Sequence, residues 1–276
     1  MADIQEAPLS VKNYDVLKPD PHRTFSHSVV VEPTPRRLRI VFKGETVADS
    51  AKAMLLHETK HLPIYYLPVE DVRMDLLEKT DHTTHCPFKG DASYWTVKAG
   101  GRVAENAVWG YEDPIEGQEA LDGLVAFYWD KMDHWYEEDE EIFIHPRDPY
   151  KRIDTVPSSR RVQVKVGGEI VADSKRGHFL FETGLPTRYY LPAGDVRMDL
   201  LEATELRTGC PYKGTANYYS VHVGSETFEN IVWFYPDPIP ECPKIKNLLC
   251  FFNEKVDAIL VDGVEISKVP SPWSDD

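Results

Sequence analysis

Two short motifs place a thiol, an ammonium group and an aromatic ring close together in the chain. Cys210-Pro-Tyr-Lys-Gly214 has an upstream counterpart in Cys86-Pro-Phe-Lys-Gly90. A lysine beside a cysteine lowers the pKa of the thiol and could turn Cys210 into a nucleophile. Lys89 and Lys213 could instead bind an anionic part of a ligand, or the cysteine could lie buried under a Pro-Gly turn. The sequence leaves these three interpretations open.

A second motif combines arginine with aspartate in Asp195-Val-Arg-Met-Asp-Leu-Leu201. Its charged and apolar residues alternate, so on a strand Arg197 and Asp199 would share one face. Such a pair could hold an anionic ligand group, or it could form an internal ion pair that fixes the sheet. Arg73 and Asp75 are the upstream counterparts and receive the same ligand-binding interpretation.

A third set of residues joins aromatic rings to charged groups around Glu182, Arg188 and Tyr189. Tyrosine hydroxyls with a carboxylate and a guanidinium group can bind a polar organic molecule or exchange protons with it. The alternative is an aromatic core in which every hydroxyl is hydrogen-bonded. We expect further walls of a binding site from three aromatic residues, Trp109, Tyr218 and Trp233.

The upstream copy of these motifs carries extra histidines. His57, His61, His82 and His85 fall within a short span. Imidazole groups suit acid–base catalysis or a metal site, and these histidines could also be ordinary surface or core residues. Strand geometry does not guarantee that residues four positions apart converge, so no metal is predicted. The candidate catalytic residues are His57, His61, His85, Glu182, Tyr189 and Lys213.

All of these motifs repeat at one constant spacing. The segment that begins at Leu67 returns at Leu191, an offset of 124 residues, and the same offset relates Ile64 to Arg188. No insertion interrupts the match, so the chain contains two copies of one domain. We predict a leader over 1–35, a first repeat domain over 36–136, a linker and lead-in over 137–159, a second repeat domain over 160–266 and an acidic tail over 267–276.

Short alternating segments between turns predict a mainly β fold with antiparallel sheets in each copy. Ser28-Val-Val-Val-Glu32 could add an edge strand, and Met74-Asp-Leu-Leu-Glu78 is typical of a strand. One helix per copy is expected near the C-terminal end, over roughly 119–135 in the first, because apolar residues recur there at helical spacing. The two domains are expected to pack as a pseudo-twofold internal dimer, so the chain could be monomeric.

Composition excludes several classes of function. The formal net charge of −15 argues against nucleic acid and against an anionic membrane surface as partners. The four cysteines form no C-x-x-C pair, which argues against structural zinc. No dinucleotide or Walker motif is present, so no cofactor is expected. The absence of a signal-like or membrane-spanning stretch predicts a cytoplasmic protein with free thiols.

The second copy resembles domain-of-unknown-function family 427 over roughly residues 145–262, with a weaker match from about 23 to 136. The resemblance rests on three segments, which are His145-Pro-Arg-Asp-Pro-Tyr150, Phe181-Glu-Thr-Gly-Leu-Pro-Thr-Arg-Tyr-Tyr-Leu-Pro192 and the Cys210 motif. It implies a compact fold similar to the β-tent group, better-known members of which bind zinc on paired cysteines. The family carries a nucleotidyltransferase-like label, from which no activity is transferred here.

Three functions fit these residues. The first is a cofactor-free enzyme that acts by acid–base chemistry on a small organic molecule, as an isomerase, cyclase, lyase or hydrolase does. The second is a non-catalytic module that binds a small molecule or carbohydrate. The third is a structural interaction protein. A closed pocket with perturbed acid–base groups would favour the enzyme, and an open aromatic groove would favour binding.

Overall fold

The computed structural model describes residues 27–269 and 271, which form two copies of one β architecture. The strands of the first copy are β1 (Val29–Pro33), β2 (Leu38–Phe42), β3 (Glu45–Ser50), β4 (Met54–Glu58), β5 (Ile64–Pro68), β6 (Leu77–Cys86), β7 (Gly90–Ala99), β8 (Arg102–Gly110), β9 (Leu124–Phe127), β10 (His134–Glu137) and β11 (Glu140–Ile142). Those of the second are β12 (Ile153–Ser158), β13 (Val162–Val166), β14 (Glu169–Ser174), β15 (Gly177–Glu182), β16 (Arg188–Leu191), β17 (Leu201–Cys210), β18 (Gly214–Val223), β19 (Glu226–Phe234), β20 (Leu249–Phe251), β21 (Ala258–Val261) and β22 (Val264–Glu265).

Each copy consists of a seven-stranded and a four-stranded antiparallel sheet. In the first copy the strand orders are β1-β4-β5-β9-β8-β7-β6 and β11-β10-β2-β3, and in the second β12-β15-β16-β20-β19-β18-β17 and β14-β13-β21-β22. Corresponding strands keep the same neighbours in both copies. The prediction of a mainly β fold in two tandem domains is therefore confirmed.

The larger sheet of each copy has apolar residues on both faces. One face packs on the smaller sheet, where Leu38, Ile40 and Phe42 are fully buried with Leu67 of β5. Full burial of each such side chain contributes about 1.5–3 kcal/mol. Because neighbouring residues on a strand point to opposite faces, Tyr66 lies on the other face in a second apolar cluster. That second face holds most of the candidate site.

The predicted C-terminal helix is wrong in both copies. A 3-10 turn over Glu119–Leu121 leads into β9, and a second turn over Trp129–Lys131 leads into β10. Strand β9 lies between β5 and β8 and is buried on both faces, so its continuous apolar run imitates a helix face. Gly123, with φ +67°, interrupts the helical backbone just before the strand, and Asn247, with φ +57°, does so in the second copy.

The arginine–aspartate motif also differs from expectation, because Met74–Leu76 and Met198–Leu200 are 3-10 turns and not strands. The amide of Leu200 donates to the carbonyl of Arg197 over 3.0 Å and closes the second turn. The remaining 3-10 turns, Val69–Asp71, Ala193–Asp195 and Pro243–Ile245, are equally short. Among residues 27–269 and 271, no helix is long and apolar enough to cross a membrane.

Three strands lie outside the expected domain limits. Strand β1 belongs to the predicted leader, and it pairs with β4 at the sheet edge as the apolar run suggested. Strands β11 and β12 lie within the expected linker and extend the sheets of the first and second copy. The two copies share no sheet in the described part of the chain, and the Tyr150 hydroxyl bridges them by donating to Glu32 over 2.7 Å. The pseudo-twofold packing stays a prediction.

We expect Gly214→Ala to lower the free energy of unfolding by about 1–3 kcal/mol, since φ +107° is open only to glycine. An added Cβ would also lie 3.2 Å from the carbonyl oxygen of Asp237. Urea denaturation measures the loss. The control is Gly194→Ala, because an added Cβ there would meet only Arg176 Nη2, at 4.0 Å, and the first copy has Glu70 at that position. Equal costs for the two variants would contradict the prediction.

Candidate functional site

Each copy contains a buried lysine–glutamate ion pair beneath its Cys-Pro-x-Lys-Gly loop. The Lys213 ammonium donates to Glu182 over 2.6 Å, and their side chains are only 9% and 5% exposed. Lys89 forms the same pair with Glu58. The loop is the turn between two long strands, and the hydrogen bond from the Lys213 amide to the Cys210 carbonyl closes it. This closure directs the ammonium group inward.

A second basic side chain contacts the other oxygen of each carboxylate. Lys151 lies 3.0 Å from Glu182, and His27 lies 2.9 Å from Glu58 at the matching position. Burial acts to raise the pKa of Glu182, but the charges and hydrogen bonds of Lys213 and Lys151 outweigh it and hold the pKa below its ordinary value. The carboxylate is therefore ionised at neutral pH and is not poised as a general base there.

Acidification should destabilise the second copy through Glu182. Because the folded pKa of Glu182 is lowered from 4.5, its contribution is present in full above that pH and is lost as the pH falls through the folded pKa. Urea denaturation over a series from neutral to acidic pH measures this loss. The Glu182→Gln variant should lose less stability over the same range, and an unchanged pH dependence in that variant would contradict the assignment.

The cysteines do not form a nucleophile–base pair with histidine in the described residues. Cys210 Sγ lies 3.8 Å from Lys213 Nζ, whose charge is already paired with Glu182. Burial raises the pKa of Cys250 to about 12, so that thiol remains protonated. The geometry gives a thiol next to an ion pair and shows no group that would take the proton from Cys210.

An aromatic frame beside the ion pair is nearly identical in the two copies. Trp109 Nε1 donates to the Tyr66 hydroxyl over 3.1 Å, and Trp233 donates to Tyr190 over the same distance. The Trp109 and Tyr128 ring centroids are 4.6 Å apart at 44°. In the second copy the ring centroids of Trp233 and Phe252, which matches Tyr128, are 4.4 Å apart at 48°. The two copies therefore build the same aromatic corner.

The second copy fills this corner with its own side chains. The Arg188 guanidinium donates two hydrogen bonds, of 2.7 and 2.8 Å, to Glu254. Both side chains are almost fully buried, at 6% and 4% exposed. The carbon centre of the guanidinium lies 5.5 Å from the Trp233 ring centroid and 6.0 Å from that of Phe252. This is a cation held between aromatic faces.

The first copy leaves the corner open. Ile64 and Asp130 stand at the positions of Arg188 and Glu254, so the buried ion pair is missing there. A pocket of about 420 Å³ lies at this place, with walls that include Tyr65, Tyr66, Tyr94, Trp109, Tyr128 and Trp135. Lys89 and His145 also line it. The volume lies within the range of ordinary small-molecule sites.

One polar atom at this pocket has no partner. Trp135 lines the pocket and is 3% exposed, and its indole Nε1 finds no hydrogen-bond acceptor among the described residues. A buried donor without an acceptor is costly. Burial also raises the pKa of Tyr128 to about 12, so its hydroxyl is a neutral donor and acceptor at the rim.

The structure brings together part of the predicted site. Lys89 and Trp109 line the open pocket. In the second copy Glu182, Cys210 and Lys213 form the ion-pair cluster, while Arg188 and Trp233 form the filled corner. Tyr218 lies in the apolar cluster on this face and hydrogen-bonds Thr208 over 2.7 Å.

Other predicted residues lie elsewhere. Tyr189 points to the core between the sheets and packs on Phe179, with ring centroids 4.8 Å apart. The arginine–aspartate pairs are exposed surface ion pairs between residues two apart, because each 3-10 turn folds the two side chains onto each other. These pairs are Arg73–Asp75 and Arg197–Asp199.

The predicted histidines do not converge. His57 lies 3.0 Å from Glu32 on the edge strands, and His85 pairs with exposed Asp91. His61 is exposed in the turn that follows β4. In the described ranges no group of three or more metal-binding side chains comes together. The catalytic role of these histidines stays a prediction without a shared site.

Several residues at the site were not found from the sequence. Trp129 and Trp135 were assigned to the helix that does not form, and so were Tyr128 and Asp130. Glu254 was missed for the same reason. The available signal was the comparison of the two copies, since the exchange of Arg188 for Ile64 accompanies that of Glu254 for Asp130.

Comparison with known proteins agrees with the duplicated architecture. The family model described as Domain of unknown function (DUF427) matches residues 30–138 and again residues 154–262. No curated protein matches the chain in a sequence search. The two matched ranges contain every strand of the seven-stranded sheets except the first residues of β1 and β12. The chain therefore belongs to the DUF427 family and carries two tandem copies of its domain.

Proposed function

We propose that the first copy binds a small organic molecule in its aromatic pocket and that the second copy is a filled, structural version of the same domain. The open corner between Trp109 and Tyr128 carries this proposal, because Arg188 and Glu254 occupy its counterpart. Tyrosine and tryptophan walls bury a ring or alkyl group, and their polar atoms fix its orientation.

The charges around the pocket support binding over proton transfer. Burial acts to raise the pKa of Glu58, but the Lys89 and His27 contacts hold it below its ordinary value. The carboxylate is thus an anion that neutralises Lys89, and the candidate catalytic histidines His57, His61 and His85 do not line the pocket. His145 does line it, and burial lowers the pKa of its imidazole, so this side chain adds no positive charge at neutral pH.

The test is native mass spectrometry of the full-length protein purified from its own organism, before and after denaturation. We expect a released small molecule with the parent protein. In the Ile64→Arg/Asp130→Glu variant, which installs the second copy's ion pair, the adduct should be lost. Ile64→Leu keeps an apolar wall and should retain it. An apo mass for the parent, or an adduct that survives in the double variant, would overturn the proposal.

An acid–base enzyme is the second candidate, and the position of Lys89 favours it. This buried ammonium lines the pocket and could stabilise negative charge that develops on a bound substrate. Incubation of a cell extract with the protein, followed by metabolite profiling, tests this function. Turnover that disappears in Lys89→Met and persists in Lys213→Met would establish the enzyme and place the reaction in the first copy.

We infer a cytosolic location and no nucleic-acid partner as part of the proposal. Cys86, Cys210, Cys242 and Cys250 are all free thiols in the structure, as a reducing compartment would keep them. The net charge of −15 would repel a phosphate backbone.

A further inference from the structure

We infer that the ligand of the first copy presents a guanidinium group to the corner between Trp109 and Tyr128. This inference rests on the proposed binding function and goes beyond it by naming the chemical class. Its basis is the second copy, where the same corner already holds a guanidinium group, that of Arg188. The second copy thus shows that this arrangement of aromatic rings accommodates a guanidinium group.

The two corners match in the placement of their tryptophan and of the ring that packs on it. The tryptophan is held by a tyrosine hydroxyl at 3.1 Å in both copies. The paired rings differ by only 0.2 Å in separation, at 4.6 and 4.4 Å. A guanidinium group stacks favourably on such faces, and its attraction grows when water is excluded.

The carboxylate that matches Glu254 in the first copy is exposed, and it lines a neighbouring cavity that shares Trp129 and Trp135 with the open pocket. Asp130 occupies the position of Glu254 in the sequence. Burial and the Tyr94 hydroxyl raise the pKa of Tyr128, and the nearby charge of Asp130 adds a smaller effect in the same direction. Aspartate is one methylene shorter than glutamate, which leaves room for a ligand that enters from outside. No ion pair to Asp130 is present within the described residues.

The nearby lysines do not exclude a bound cation. Lys89 is neutralised by Glu58, and its counterpart Lys213 coexists with Arg188 in the second copy. Lys131 Nζ lies 4.8 Å from the Tyr128 ring centroid. The matching Lys255 Nζ lies 5.4 Å from the Phe252 ring centroid, although Arg188 is also close to that ring. The strongly acidic surface adds a long-range attraction for cations.

The probes are butylguanidinium and butylurea, which have nearly the same planar shape and differ in charge. Titration of the full-length protein, followed by tryptophan fluorescence and calorimetry, should show at least about tenfold tighter binding of butylguanidinium. Asp130→Asn should weaken butylguanidinium binding and leave butylurea unchanged. Ile64→Arg/Asp130→Glu should abolish both, with circular dichroism to confirm that this variant folds.

The outcomes separate this inference from the proposed function. Equal binding of the two probes, or no binding of either while native mass spectrometry shows another ligand, would overturn the guanidinium inference and leave the binding function standing. No binding of either probe together with a clean apo mass would overturn both. Tighter guanidinium binding that is insensitive to Asp130→Asn and to the pocket-filling variant would place the cation elsewhere and overturn the inference.

Discussion

Glu254→Gln should destabilise the second copy by about 3–5 kcal/mol, because it leaves the buried Arg188 guanidinium without its carboxylate. Glutamine keeps the size of the side chain, so the loss reports the removed charge and not a cavity. Hydrogen exchange measured by mass spectrometry assigns the loss to a domain, since faster exchange is expected in β16, β19 and β20 and not in the first copy.

The first copy supplies the control for this prediction. It folds with Ile64 and Asp130 at the matching positions, so Arg188→Ile/Glu254→Asp should cost less than Glu254→Gln alone even though it changes two residues. The first copy shows that the fold accommodates an isoleucine and an aspartate at these positions, with Asp130 exposed to solvent, whereas Glu254→Gln leaves the buried Arg188 guanidinium in place without its carboxylate. A double variant that is less stable than the single one would show that the ion pair itself stabilises the fold.

The double variant also bears on the origin of the pocket. If Arg188 and Glu254 are what fills the corner of the second copy, their replacement should open a second aromatic pocket beside Trp233. The variant protein should then bind two equivalents of butylguanidinium where the parent binds one. One equivalent in both proteins would mean that features besides these two side chains keep the second corner closed.

The fold could be predicted from the sequence wherever a strand has one polar face. Leu38, Ile40 and Phe42 are buried and alternate with more exposed neighbours, which is the pattern that the short alternating segments predict. Strand β9 could not be recognised, because a strand covered on both faces has no alternation and its apolar run also fits a helix. The residues that follow β9 were misassigned with it.

The site could be predicted only where its residues are close together in the sequence. Lysine and cysteine are three residues apart in each loop, so their proximity follows from the turn. Glu182 reaches Lys213 only because β15 and the loop meet in the folded domain. The exposed Arg197–Asp199 pair shows the opposite error, since a local ion pair on the surface resembled the lining of a pocket.

The duplication itself was the most informative feature of the sequence for function. Both copies have a tryptophan at the matching positions 109 and 233, but the first copy has Ile64 where the second has Arg188. This difference indicates that the position of Ile64 and Arg188 has a different role in each copy. The meaning of that difference required the structure, because only the folded chain shows that Arg188 lies on the matching aromatic corner. The guanidinium inference rests on this comparison of the two corners.

The second large effect is expected at the lysine–glutamate pair, where Glu182→Gln should cost about 3–5 kcal/mol at neutral pH. The variant leaves the buried Lys213 ammonium without a charged partner, and Lys151 adds a second positive charge nearby. Chemical denaturation at neutral pH measures the loss. Asp199→Asn is the matched control, since Asp199 is 61% exposed in its ion pair and solvent screens its charge, so little loss of stability is expected.

A double-mutant cycle decides how much of this cost belongs to the pair. Lys213→Met alone leaves the Glu182 carboxylate with Lys151 and should cost less than Glu182→Gln alone. Lys213→Met/Glu182→Gln removes both buried charges and should be more stable than the sum of the single losses predicts, by about 1–3 kcal/mol. Additive losses would show that Lys213 and Glu182 touch without stabilising each other.

Lys89 and Glu58 repeat this geometry at the wall of the open pocket. Strong coupling between Lys213 and Glu182 would therefore mean that the charge of Lys89 is neutralised by Glu58 at the pocket where the proposed ligand binds.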